Sequence, residues 1–276
     1  MKIGTLVKGI VRGCIIVGLS GSVMAESMSF GVVPQQSAAK LAALWTPVLS
    51  YLSDKTDIEL SFETATDIPT FERRLLQGKY DVAYMNPYHF TFFNEHRGYQ
   101  ALAHRDDKKI QGIVVVSKKS GITSLEELEG QEIAFPSPAA FAASLLPRGE
   151  LRKKGINFTP KYVNSHDSVY KTVAKGFFLA GGGIGRTYNN ISPDVRDTLR
   201  VLWKTDFYTP HAFAAHPRVE DDKQARLAKA LADMANDPVG AQLLGTLSIK
   251  SLRQAQNSDW DDVRSLNLTL LNALVE

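Results

Sequence analysis

The chain has 276 residues, 44% of them hydrophobic, enough apolar material for one large or two medium cores. Its formal net charge of +3 resides in the first 25 residues, which hold three of the 32 Lys and Arg and none of the 29 Asp and Glu. The remainder balances at 29 against 29, which argues against nucleic acid or an anionic membrane as partner. The only cysteine, Cys14, lies in that same leader, so the rest of the chain can form no disulfide framework, cysteine nucleophile or thiolate metal site.

The leader runs from Lys2, Lys8 and Arg12 through an apolar stretch, Cys14 to Val23, to small residues at Ala25. That order predicts a secretory signal peptide over residues 1–25 and a mature chain starting near Glu26. The stretch is about ten residues long, where a bilayer crossing needs roughly 20. Lipidation of Cys14 is the alternative, opposed by Arg12 and Lys8, which interrupt the apolar segment such a cysteine requires.

From Met28 onward, short apolar runs alternate with stretches of helical period, predicting an α/β fold. Met28 to Val33 reads as a strand. Leu41, Leu44, Trp45, Val48, Leu49 and Leu52 mark an amphipathic helix from Ser37 to Asp54. Alternating Ile58, Leu60 and Phe62 predict a strand, Phe71 to Leu76 a short helix stopped by Gly78, and Tyr80 to Met85 a strand with a helix starting at Asn86-Pro87. Ile113 to Val116 reads as a buried strand, followed by a capping box at Ser124 and Glu127. The middle predicts strands at Glu132 to Phe135 and Lys161 to Val163, and helices over Ala140 to Lys154 and Ser165 to Lys175. The glycine run Gly181 to Gly185 reads as a flexible or close-packed turn between strand and helix. Strands at Arg200 to Trp203 and Ala212 to Ala215 precede a tail expected to be all helical.

No linker, repeat or low-complexity segment divides these blocks, which suits a two-lobed domain whose chain crosses between lobes twice, near Gln111 to Ser117 and Lys204 to Ala212. The expected lobes are residues 26–112 with 210–276, and residues 113–209. The zinc signature His-Glu-x-x-His and the Gly-x-Ser-x-Gly elbow are missing. Arg186 stands where a dinucleotide fingerprint needs its third glycine, and the six histidines form no metal pair. His166 and His211 follow predicted strands, where α/β clefts place ligand contacts.

The run YDVAYMNPYHF, Tyr80 to Phe90, resembles the phosphate/phosphite/phosphonate-binding proteins of ABC importers, a family of type II periplasmic binding proteins. Ser37 to Pro47 is similar to that family's first helix, Ala134 to Arg148 to its second-lobe ligand loop, Ser165 to Gly176 to its histidine-bearing helix start, and Arg200 to Asp206 to its return strand. The resemblance implies a two-lobed type II periplasmic binding protein fold with a ligand cleft between the lobes. It also implies a monomer in the periplasm that captures a small oxyanion for an inner-membrane ABC permease, with no cofactor, metal or catalysis. A sensory partnership with a membrane histidine kinase, and a hydrolase built on His166 with Asp167 or Asp206, are the alternatives.

Helix starts near Ser37, Asn86, Ala140 and Ser165 would turn unpaired N–H groups and positive dipole ends toward such a cleft. Around them the reading places Tyr84 and Tyr88 as hydroxyl donors and walls, Asn86 as an amide donor, Ser137 as a hydroxyl donor and His166 as the second-lobe donor. Arg186 would supply a forked cation and His211 a contact from the hinge side. The phosphonate binders of the family present Ser-Thr-Ser at the second-lobe helix start, where this chain has Ala140, Phe141 and Ala142. Simple alkylphosphonates are therefore expected to bind poorly.

Overall fold

A computed structural model describes residues 27–276 together with Met1 and Gly4, so the expected export leader and Cys14 lie outside the described residues. Its elements in chain order are β1 (Met28–Val32), α1 (Ala38–Thr56), β2 (Leu60–Glu63), α2 (Ile68–Leu76), β3 (Val82–Met85), α3 (Pro87–Arg97) and β4 (Gln100–Arg105). There follow β5 (Ile110–Ser117), β6 (Gln131–Phe135), α4 (Leu146–Lys153), β7 (Phe158–Tyr162), α5 (His166–Ala174), β8 (Ala180–Ile184), α6 (Gly185–Asn189), α7 (Pro193–Arg196) and β9 (Leu199–Tyr208). The chain closes with β10 (Ala212–Ala215), α8 (Asp221–Asp233), α9 (Pro238–Thr246), β11 (Leu252–Gln254) and α10 (Asp261–Arg264).

Two sheets result, ordered β11-β4-β10-β3-β1-β2 and β7-β6-β8-β5-β9. In the first, β1 runs parallel to β2 and β3 while β10 inserts antiparallel between β3 and β4. In the second, β6 runs parallel to β7 and β8, and β5 lies antiparallel between β8 and β9. The chain leaves the first sheet through residues 106–109 and returns through 209–211.

Side-chain period explains both layers. The three- and four-residue spacing of α1 buries Leu41, Trp45, Val48, Leu49 and Leu52 along one stripe. There Trp45 meets Tyr84 and Phe213, with ring centroids 4.7 and 5.9 Å away. The continuous β-branched run of β5 is buried on both faces, Ile113 and Val115 against α5, Val114 and Val116 against Ile133, Phe135 and Leu151. Ala139 to Ala143, which follow β6, and Ile184, the last residue of β8, pack into the core of the first sheet.

Four expectations are corrected. The Gly181 to Gly185 run is not a turn: its first three glycines lie inside β8, and only Gly185 opens a helix. A Cβ on Gly182 would collide with the Ala143 carbonyl oxygen, and one on Gly112 with that of Ala142, so the strands need bare backbone there. The helix expected from Ala140 begins instead as a wide π-type turn, Phe141–Leu145, before α4. The tail contains β11, and β4 was absent from the sequence pattern because its Ala-rich stretch becomes a strand through pairing with β10 and β11. The first crossing lies before Gln111 to Ser117, which belongs wholly to β5.

Candidate functional site

The loops that leave the C-terminal ends of strands carry the chemistry. After β1, Val33 to Gln36 leads into α1, whose Ser37 hydroxyl accepts from Lys40 N at 3.4 Å. After β3, the Asn86 Oδ1 accepts from His89 N at 2.8 Å and caps α3. After β7, the Ser165 Oγ accepts from Ser168 N at 3.1 Å and caps α5.

These loops meet across the two sheets. His166 N donates to the Gln35 carbonyl at 3.1 Å, and Asn86 Nδ2 donates to the Ala139 carbonyl at 3.3 Å. The Gln35 side chain joins two further groups: its Oε1 accepts from Arg186, and its Nε2 lies 3.0 Å from His211 Nε2. Gln35 was missed in the sequence, where a Gln after Pro34 carries no motif. At the rim, Lys40 Nζ donates to the Asn190 carbonyl at 2.7 Å and lies 3.9 Å from Asp167.

Between these groups is a void of about 10 Å³ lined by Gln35, Asn86, Ala140 to Ala143, His166 and His211, with Val33, Ile68, Ile110 and Ile184 as apolar wall. It has room for about one water. Beside it opens a cavity of about 350 Å³ that shares Ile110, Ile184 and His211 with the void and is also lined by Tyr84 and Arg186.

Of the nine residues singled out in the sequence, Asn86, Ala140, Phe141, His166 and His211 line the void, and Tyr84, Arg186 and His211 the larger cavity. Tyr88 lines neither; its hydroxyl accepts from Leu271 N at 2.9 Å and anchors the C-terminal segment. Ser137 is buried beside Ala139 with its hydroxyl unpartnered among the described residues, but it is not part of the void's wall. Phe141 is fully buried, edge-on to Tyr208 at 5.4 Å.

Both histidines are neutral near pH 7. Burial, then the charge of Arg186, pushes His166 down to about 3, and its Nδ1 lies 3.0 Å from the Thr187 hydroxyl, not from Asp167 or Asp206. His211 is driven well below its ordinary value by burial first and then by Arg186. Its ring stacks on Tyr84 at 5.1 Å. With Gln35 Oε1 turned to Arg186, the Gln35 amide donates and His211 Nε2 accepts. Gln36, fully buried next to Gln35, has both amide atoms unpartnered among the described residues. Buried groups left so cost about 1–3 kcal/mol each, so this loop carries hydrogen-bonding capacity the fold itself does not use.

A family model described as "ABC transporter, phosphonate, periplasmic substrate-binding protein" matches residues 30–260. Among solved structures, PhnD1 from Prochlorococcus marinus in complex with methylphosphonate is 19% identical, with a TM-score of 0.81 over 88% of this chain and 99% of that one. A binding protein component of a Pseudomonas aeruginosa ABC phosphonate transporter is 15% identical, with a TM-score of 0.80 over 87% and 85%. The Escherichia coli aliphatic sulphonate binding protein SsuA is 14% identical, with a TM-score of 0.64 over 91% and 94%. These likenesses show the two-lobed type II periplasmic binding protein fold.

Proposed function

The chain belongs to the family of periplasmic substrate-binding proteins of phosphonate ABC transporters, and we propose that it captures an oxyanion at the junction of Gln35, Asn86, Ala140 and His166, by closure of one lobe on the other and without covalent chemistry. The first lobe is built on the first sheet, residues 28–105 with 212–276, the second on the second sheet, residues 110–208, and the crossings at 106–109 and 209–211 serve as the hinge. The observation that carries this reading is the meeting of strand-end loops from both sheets around one void. An anion there faces the starts of α1, α3 and α5, where N–H groups and dipoles favour negative charge. A tetrahedral oxyanion does not fit a space for one water, so entry requires the lobes to part and closure follows the ligand. An inner-membrane ABC permease is the partner the family implies.

Ala140 and Ala142 present no hydroxyl to the void. Simple alkylphosphonates therefore bind weakly, because their charged oxygens lose water without gaining donors from this turn. A thermal-shift screen of phosphate, phosphite, sulfate and organophosphonates tests the reading. A ligand at a hundred times its Kd adds about 2.7 kcal/mol, or roughly 5–10 °C for a domain of this size. Methylphosphonate is expected to give far less than the best oxyanion, and no shift with any of them would contradict oxyanion capture.

A further inference from the structure

The 350 Å³ cavity beside the void is walled by Lys108 and Lys109 of the first crossing, Arg186 of α6, and Lys204 and Phe207 of β9, with Tyr84 on the first-sheet side. No carboxylate lines it among the described residues. Asp107 is adjacent, but both its oxygens are engaged by Arg105 at 2.9 and 2.6 Å. Lys108, Lys109, Lys204 and Arg186 have no carboxylate within 4.0 Å among the described residues, Arg186 being held by the neutral Gln35 amide.

The backbone is shaped for this. Lys204 and Phe207 are three residues apart and would face opposite sides of a regular strand. Yet Gln111 pairs with Phe207 and Ile113 with Lys204, two residues of β5 against three of β9, so one residue is bulged out and both side chains reach the cavity. Thr205 secures the bulge: its Oγ1 accepts from Gly112 N at 2.9 Å and its carbonyl accepts from Gln111 Nε2 at 2.7 Å.

We infer that this chamber receives the body of the ligand, and that the ligand class is an organophosphonate or organophosphate whose apolar body carries a second anionic group. The inference rests on the oxyanion reading above: the shared Ile110, Ile184 and His211 set head and body sites side by side. Unneutralised cations favour negative charge on the body, Phe207 and Tyr84 offer it apolar faces, and a cationic body such as an amine is repelled. The volume falls within the range of small-molecule sites, about 300–1,000 Å³, and far exceeds what a methyl substituent fills.

The test is calorimetric titration with phenylphosphonate, 4-phosphonobenzoate and 2-aminoethylphosphonate. In the wild-type protein 4-phosphonobenzoate should bind at least about ten-fold tighter than phenylphosphonate, the two differing by one carboxylate, and 2-aminoethylphosphonate weakest of the three. In Lys108→Ala/Lys109→Ala/Lys204→Ala, whose three sites are exposed, the ratio of the first two should shrink to within about threefold, and Lys204→Glu should shrink it further. A ratio near one in the wild type while phenylphosphonate binds, or a preference that survives the triple substitution, overturns the chamber alone. Absence of binding by all three while phosphate, phosphite or sulfate binds also overturns the chamber alone, whereas absence of binding by those anions as well overturns the oxyanion reading beneath it.

Discussion

At the scale of single residues, Gln35 does the most joining, since its backbone and both side-chain atoms contact His166, Arg186 and His211. Nothing in the sequence singled it out, because a glutamine acquires this role only from the fold that brings three distant loops to it. Asn86 and His166 were legible as residues at helix starts after strands. Tyr88 lies apart from the void and the cavity, because its hydroxyl is taken by Leu271 N, a partner the sequence does not show. Gln35→Ala should free Arg186 and leave His211 without its amide partner, loosening closure and weakening oxyanion affinity by about ten-fold or more, as loss of a charge-assisted hydrogen bond does. The buried neutral histidines set a pH dependence. Above about 6.5 neither folded nor unfolded His166 holds a proton. As pH falls below that value the unfolded form protonates while the folded one, with its value at about 3, does not, so stability is lost between these limits. The slope is about 1.4 kcal/mol per pH unit for each such histidine. Urea midpoints at pH 7 and pH 5 should therefore differ, and His166→Asn should flatten that difference.

At the scale of elements, the alternation of apolar runs and amphipathic helices was readable because each helix displays its buried stripe in the sequence. The glycines of β8 were not, since their reasons are neighbours brought in by the fold: the Ala143 carbonyl of the π-type turn Phe141–Leu145 lies on Gly182, and Val169 and Tyr170 of α5 lie on Gly181 and Gly183. Gly182→Ala forces the Ala143 carbonyl away. It should cost about 1–3 kcal/mol by overpacking, read as a lowered urea midpoint, and should also weaken ligand binding because the displaced turn lines the void. An unchanged midpoint and affinity would show that the turn yields freely. The same logic explains β4, whose Ala-rich sequence carries little strand signal until β10 and β11 flank it.

At the scale of the whole molecule, β5 and β9 adjoin the two crossings between the sheets, and hydrogen bonds accepted by Gln35 and donated by Asn86 and Lys40 link loops of one sheet to those of the other. The two-lobed plan was legible from unbroken α/β alternation and from the resemblance carried by Tyr80 to Phe90; the exact crossings were not, because the first crossing is only four residues long and runs directly into β5. Closure on a ligand predicts that scattering profiles sharpen toward a smaller radius of gyration when a binding oxyanion is added. The most direct measurement is calorimetric titration of wild type, Tyr84→Ala, Asn86→Ala and His166→Ala with the oxyanion that gives the largest thermal shift among phosphate, phosphite, sulfate and phenylphosphonate. Capture at the junction of the two sheets predicts one site per chain in the wild type and a loss of roughly ten- to a hundred-fold in affinity in each variant, the equivalent of about 1.5–3 kcal/mol per hydrogen bond to charge, with a smaller effect on the fold. Affinity unchanged in all three variants would place the ligand elsewhere and contradict it.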